Sequence, residues 1–219
     1  MIWIQKTEEP VSLTQYKKQR HAYYDGYKNK DELRAALSRD QGYICAYCMR
    51  RIENNRETMK IEHWKAQHHL KTEAEKLDFK IMLGVCDGCR GAKDEYTTCD
   101  EHRHDEELYV NPLDRSMMNT ISYDRQGHIK SSDAQIDQDL NQKLNLNCEE
   151  APSRIVQNRK AVYTECMERL IKIQRNGNWK MSTLRQVKQY YEKKENGRKV
   201  EYVGVPLYLI EKYMNKCKG

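Results

Sequence analysis

The residues able to do chemistry fall in one stretch: Cys45-x-x-Cys48, then Ile61-Glu62-His63-Trp64, then Cys86-x-x-Cys89, then Cys99-Asp100-Glu101-His102-Arg103-His104. Two thiolates spaced C-x-x-C can take adjacent corners of a zinc tetrahedron, and a second set from later in the chain closes it. Between the two sets a carboxylate stands beside an imidazole, which is the pairing that a hard divalent cation and a general base require. Together they suggest a zinc-stapled metal nuclease. Redox chemistry through the same C-x-x-C pairs would need a thioredoxin-like βαβ pattern around them, and none is present.

This arrangement resembles the HNH endonuclease family, whose ββα-metal site is commonly braced by a zinc on four cysteines, and within it the PtuB-like nucleases. The likeness is carried by Glu9-Pro10-x-Ser12-Leu13, Tyr24-Asp25-Gly26, Cys45-Ala46-Tyr47-Cys48-x-Arg50-Arg51-Ile52, Ile61-Glu62-His63, Leu83-Gly84-Val85-Cys86-Asp87-Gly88, Thr98-Cys99-Asp100 and Asn111-Pro112. It covers residues 1 to 130; beyond them only the helical character agrees. The resemblance implies His63 as general base, Glu62 as ligand of a catalytic Mg²⁺ or Mn²⁺, and a structural Zn²⁺. It also implies a metal-dependent endonuclease serving as nuclease effector of a Septu-type or retron-type antiphage defence system. The implied partners are a PtuA-like ABC-type ATPase and a nucleic-acid substrate, either DNA or an RNA such as tRNA, with retron msDNA in the assembly.

Two positions depart from the family pattern. Ile81 stands where an Asn usually precedes the second cysteine pair, and Arg90, a permanent cation that cannot ligate a metal, follows Cys89 where a last catalytic residue is usual. Five cysteines thus compete for four zinc positions. With Cys99 as the last ligand the next residue is Asp100, a carboxylate able to complete the divalent-ion site opposite Glu62. The favoured zinc set is therefore Cys45, Cys48, Cys86 and Cys99, with Cys89 replacing Cys99 as the alternative. His102 and His104 are candidates for a third ligand or a phosphate contact, with solvated side chains the plainer account in so polar a loop; Arg50, Arg51 and Arg103 are candidates for phosphate contacts, with simple surface charge an equally good account. The competing reading of the whole chain, motivated by Ile81, is a catalytically impaired zinc-knuckle module that binds nucleic acid or protein.

The composition sets limits on these readings. The 219 residues suffice for one sizeable core, and 15 Tyr and 3 Trp supply packing surface despite 33% charged residues and a mean hydropathy of −1.03. A net charge of +6 leans toward polyanions, although acids and bases are mixed almost everywhere. No apolar run approaches the ~18 residues of a membrane span, and Met1-Ile2-Trp3-Ile4-Gln5-Lys6 is too short and polar for a leader, so a cytoplasmic location is expected. In a reducing compartment cysteines serve as metal ligands and buried thiols, and Cys148, Cys166 and Cys217 read as small core side chains.

The elements that must position these groups follow from periodicity and caps. A short strand is expected over residues 1–6, then a helix capped by Ser12 and running to about Arg20. A second helix over Asp31–Gln41 closes at Gly42. Tyr43–Ile52 reads as a knuckle hairpin and Met59–Trp64 as the strand bearing Glu62 and His63. The Thr72-Glu73-Ala74-Glu75 capping box opens a helix through Asp78, residues 90–110 read as a polar loop, and a hairpin turns at Asp124–Gly127. From Ala134 helices dominate: one with Pro152 in its first turn and a stripe of Ile155, Val162, Tyr163, Cys166, Leu170 and Ile173, a break at Asn176-Gly177-Asn178, then helices over Ser182–Glu195 and Leu207–Lys216. The expected architecture is α+β: an N-terminal arm (1–30), a zinc-braced HNH (ββα-metal) core (31–130) and a helical C-terminal portion (131–219).

Overall fold

A computed structural model describes residues 1–175 and 178–217 of the chain. The architecture is α+β, two small antiparallel sheets among helices. After α1 (Val11–Tyr16), helix α2 (Lys30–Gln41) buries Leu33, Ala36 and Leu37 and carries Asp31 and Glu32 in its first turn, where the helix dipole favours them. It ends because Gly42 takes a left-handed conformation (φ 70°), which lets the Tyr43 amide reach back to the Ser38 carbonyl at 2.8 Å. The chain then enters the knuckle hairpin, closed by Cys45 N–H donating to Arg50 O (2.8 Å) and Ile52 N–H to Tyr43 O (3.1 Å).

Strand β1 (Lys60–His63) pairs antiparallel with β2 (Met82–Val85), Glu62 opposite Leu83 and His63 opposite Met82. Between them lies α3 (Glu73–Lys76), which has the expected Thr72–Glu75 capping box but stops after four residues. Helix α4 (Cys99–Arg103) and the short α5 (Arg115–Met118) follow. Hairpin β3 (Ile121–Tyr123) and β4 (Ile129–Ser131) turns where the Asp124 carboxylate accepts from Gln126 N–H (2.9 Å) and His128 N–H (3.0 Å). Beyond α6 (Ala134–Gln138), helices α7 (Ile155–Ile173), α8 (Met181–Glu192) and α9 (Gly204–Lys216) pack on one another, with α9 against β3. Buried residues from the N-terminal segment, the knuckles, both sheets and the last three helices join in one core. Among the described residues no helix is long and apolar enough to cross a membrane.

Several expectations are corrected. Residues 1–6 form no strand; Ile4 N–H makes a single backbone bond to Pro112 O at 2.9 Å, and the side chains of Ile4 and Met1 anchor the segment in the core. Ser12 does not cap α1, which starts two residues earlier, behind Pro10, and ends at Tyr16 instead of near Arg20; the Ser12 hydroxyl pairs with Tyr27 Oη at 2.7 Å. The helix expected through Asp78 gives way to β2, a strand buried at every position, and the polar stretch 90–110 contains α4. Pro152 lies in the turn before α7, whose stripe buries Ile155, Cys166 and Leu170 but leaves Ile173 exposed. The break at Asn176-Gly177 lies outside the described residues.

Candidate functional site

Four sulfurs converge beside the β1–β2 hairpin. Cys45 and Cys99 lie 4.0 Å apart, Cys48 and Cys86 3.7 Å, Cys86 and Cys99 3.8 Å, and all four sulfurs lie within 4.8 Å of one another, fully buried. A tetrahedral zinc with ~2.3 Å spokes needs sulfur–sulfur edges of about 3.8 Å, whereas a disulfide needs ~2.05 Å. The spacing therefore fits one zinc and no disulfide, and the thiols are free. Cys89 stays outside this group.

The local backbone explains the choice of Cys99. Gly88 adopts a φ of +63°, and a methyl group on it would collide with the Thr98 carbonyl oxygen. That bare backbone lets Thr98 N–H reach the Gly88 carbonyl at 2.9 Å, which docks the start of α4 on the second knuckle and delivers the Cys99 thiol. Arg50 ties the knuckles together through Asp87 at 2.8 Å. The buried amide of Gln41 links α2, the first knuckle and β2: it donates to Ile44 O (2.8 Å) and Gly84 O (2.7 Å) and accepts from Gly84 N–H (2.6 Å).

Successive residues of a strand face opposite ways, so β1 sends Glu62 toward α4 and His63 toward the Tyr24 ring, whose centroid is 4.7 Å from the imidazole. Both border an open cleft of ≈ 390 Å³ with Asp100, Arg103 and His104 from the α4 side and Gln67 from the β1–β2 loop. At ~30 Å³ per water this holds a phosphodiester group and its hydration. A larger cavity of ≈ 580 Å³, between Trp3, Arg115 and Tyr208, is lined by neither imidazole nor thiol.

His63 Nε2 lies 2.7 Å from the Lys76 carbonyl, which can only accept, so Nε2 carries the proton and Nδ1 keeps its lone pair. Gln67 Nε2 donates to that Nδ1 at 3.1 Å. Burial holds the imidazole below the ordinary histidine range, with the cations Lys30, Arg103 and Lys76 adding to the effect, so it is neutral at neutral pH.

Glu62 and Asp100 both line this cleft, with the Asp100 carboxyl close enough to act on Glu62. Burial first, and Asp100 second, push the Glu62 carboxyl well above the ordinary carboxylate range. Arg103 pulls the other way, but its guanidinium also serves other acceptors and does not cancel two acid-favouring influences. Asp100 itself meets Lys60 Nζ at 3.4 Å. Two carboxyl groups lining one cleft form a donor set that a hard divalent cation fits once both are ionised.

Arg51 and Arg103 depart from the surface-charge reading, whereas His104 is exposed as expected of a solvated side chain. Arg51 bonds Tyr43 O (3.0 Å) and Lys199 O (2.6 Å), and Arg103 lines the cleft with its side chain buried, so both tether backbone and neither is solvated surface charge. His102 turns to Thr97 Oγ1 and the Asp94 carbonyl, each at 3.1 Å, and His104 borders the cleft while paired with Asp94 at 3.0 Å. Gln41, Gln67 and the role of Arg103 were not evident from sequence. Nor was helix α4, which reads in sequence as a polar loop, although Thr98 stands before an acidic first turn (Asp100, Glu101) and a basic last turn (His102, Arg103) that could have signalled it. No protein-family model matches the chain, and no curated protein matches it.

Proposed function

We propose that this protein is a metal-dependent endonuclease of the HNH type. The observation that carries the reading is the placement in one cleft of a neutral His63, its Nδ1 lone pair met by the cleft-lining Gln67 amide, with the carboxyl groups of Glu62 and Asp100. A divalent Mg²⁺ or Mn²⁺ held by Glu62 and Asp100 would polarise the scissile phosphate and stabilise the leaving oxygen. His63 Nδ1 takes a proton from the attacking water at the position now filled by the Gln67 amide, the water oxygen bonds to phosphorus, and the bond to the sugar oxygen breaks. The Lys76 carbonyl fixes the tautomer that makes this transfer available. The cysteine cluster lies outside the cleft and acts as a staple.

On the likeness of its motifs to PtuB-like nucleases, we further propose that the protein works in the cytoplasm as the nuclease effector of an antiphage complex with an ABC-type ATPase. Sequencing the nucleic-acid ends produced during phage infection in cells carrying both proteins identifies whether the substrate is DNA or RNA; no new ends would overturn this role.

A second reading has a specific observation behind it: Glu62 already pairs with Arg103, and Asp100 with Lys60, so the acids are satisfied without an added cation. A zinc-knuckle binding module would look the same. Incubation of plasmid and RNA with purified protein and Mg²⁺ or Mn²⁺ separates the two. The nuclease reading requires cleavage that disappears in His63→Ala and Glu62→Gln while folding and zinc content stay unchanged; no cleavage with either cation favours the binding module.

A further inference from the structure

The geometry points to Arg103 as the positioning residue that holds the cation carboxylate and the general base in register, an inference that rests on the nuclease reading above. Its side chain is fully buried, an unusual place for an arginine unless its nitrogens are matched. Here each nitrogen has an acceptor across the site. Nη1 donates to Glu62 Oε1 and to the carbonyl of His63 at 3.2 Å, and lies 3.5 Å from Tyr47 Oη; Nη2 donates to the carbonyl of Trp64 at 2.9 Å; Nε donates to the carbonyl of Glu106 at 2.7 Å. One rigid guanidinium thus grips the side chain that faces Asp100 and the two peptide units that carry and follow the base.

This addresses the vacancy at Ile81. The loop after β1 closes through main chain there, Trp64 N–H to Ile81 O at 2.9 Å, but an isoleucine side chain has no polar group with which to hold the base loop. Arg103 supplies that hold from the opposite side, out of α4. Because α4 also carries Cys99 and Asp100, the same short helix joins zinc staple, cation carboxylate and base. A lysine could keep the charge beside Glu62, but its single nitrogen cannot span the Glu62, Trp64 and Glu106 acceptors together.

The test uses the full chain with Arg103→Lys and Arg103→Gln, the second retaining amide donors without charge. Zinc content, Mn²⁺ affinity by electron paramagnetic resonance, and kcat and KM on plasmid are measured for each. With one zinc per chain retained, Arg103→Lys is expected to lose about ten- to hundredfold in both Mn²⁺ affinity and kcat, and KM is expected to stay unchanged because each Arg103 nitrogen is already engaged by a protein acceptor. Wild-type Mn²⁺ affinity and kcat in Arg103→Lys overturn the inference, since charge alone would then suffice. Failure of both variants to yield folded, zinc-loaded protein also overturns it, by making Arg103 a folding residue. A wild-type chain that neither binds Mn²⁺ nor cleaves sinks the nuclease reading itself, and the inference with it.

Discussion

The Thr98 amide donates to the Gly88 carbonyl at 2.9 Å, and through this contact the second knuckle takes its last thiol from the start of α4 instead of from the nearer Cys89. The bond needs close backbone approach, which Gly88 permits by lacking a side chain and by its positive φ.

Gly88→Ala is therefore expected to release zinc. The left-handed backbone alone costs an alanine about 1–2 kcal/mol, and the methyl collision forces α4 away from the cysteine cluster. Cys99→Ser should likewise lose zinc and fold together, because structural zinc binding is folding energy. Cys89→Ser should keep both. Elemental analysis and thermal melts of the three variants check this, and a zinc-free Cys89→Ser protein would refute the ligand set.

Gln41 offers a different test, since it braces the hairpin without touching either candidate centre. Gln41→Ala removes the acceptor of the Gly84 amide and a donor to Ile44 O. Each buried group left unpaired costs about 1–3 kcal/mol, so chemical denaturation should show a lower midpoint. Zinc stoichiometry and cleavage per folded molecule should not change.

How much of this was legible in the sequence depends on what kind of signal each part leaves. Cysteine spacing and the Glu62-His63 adjacency are local, so the cluster of Cys45, Cys48, Cys86 and Cys99 could be anticipated, and the dipole-matched ends of α2 with Gly42 behind it are equally local. Strand β2 was hidden because Met82-Leu83-Gly84-Val85 is buried on both faces and shows no alternation, leaving helix and strand indistinguishable by period. Arg103 was hidden for the opposite reason: its chemical type predicts solvent, and only partners brought from positions 47, 62–64 and 106 make burial tolerable. The N-terminal segment alternates like a strand, yet its neighbours supply one backbone acceptor, Pro112 O, and no ladder.

The pH dependence of cleavage follows from His63. An imidazole whose pKa is lowered by burial remains neutral, and able to accept a proton, further into acid than a free histidine does. Activity should fall only as pH drops through that lowered value, placing the acid limb of kcat below the ordinary histidine value of about 6.5. The limb is read from rates at saturating Mg²⁺; a limb at or above that value argues against His63 as the base.

Binding of the divalent cation should itself move a proton. Burial and the facing Asp100 carboxyl raise the Glu62 pKa, so at neutral pH the cation-free pair retains a proton that an exposed carboxylate would have lost. A cation held by both carboxylates displaces it. Apparent affinity for Mn²⁺ must then increase with pH, by at most about tenfold per unit, until the pH passes the raised Glu62 pKa, and level off beyond it. Calorimetric titrations at one pH in buffers of different ionisation enthalpy should show net proton release on binding. Asp100→Asn removes the neighbour that favours the protonated form, so it should weaken binding and also shrink the proton release, with zinc and folding retained. Mn²⁺ affinity independent of pH, or equal proton release in Asp100→Asn, would mean that Glu62 and Asp100 do not share the cation.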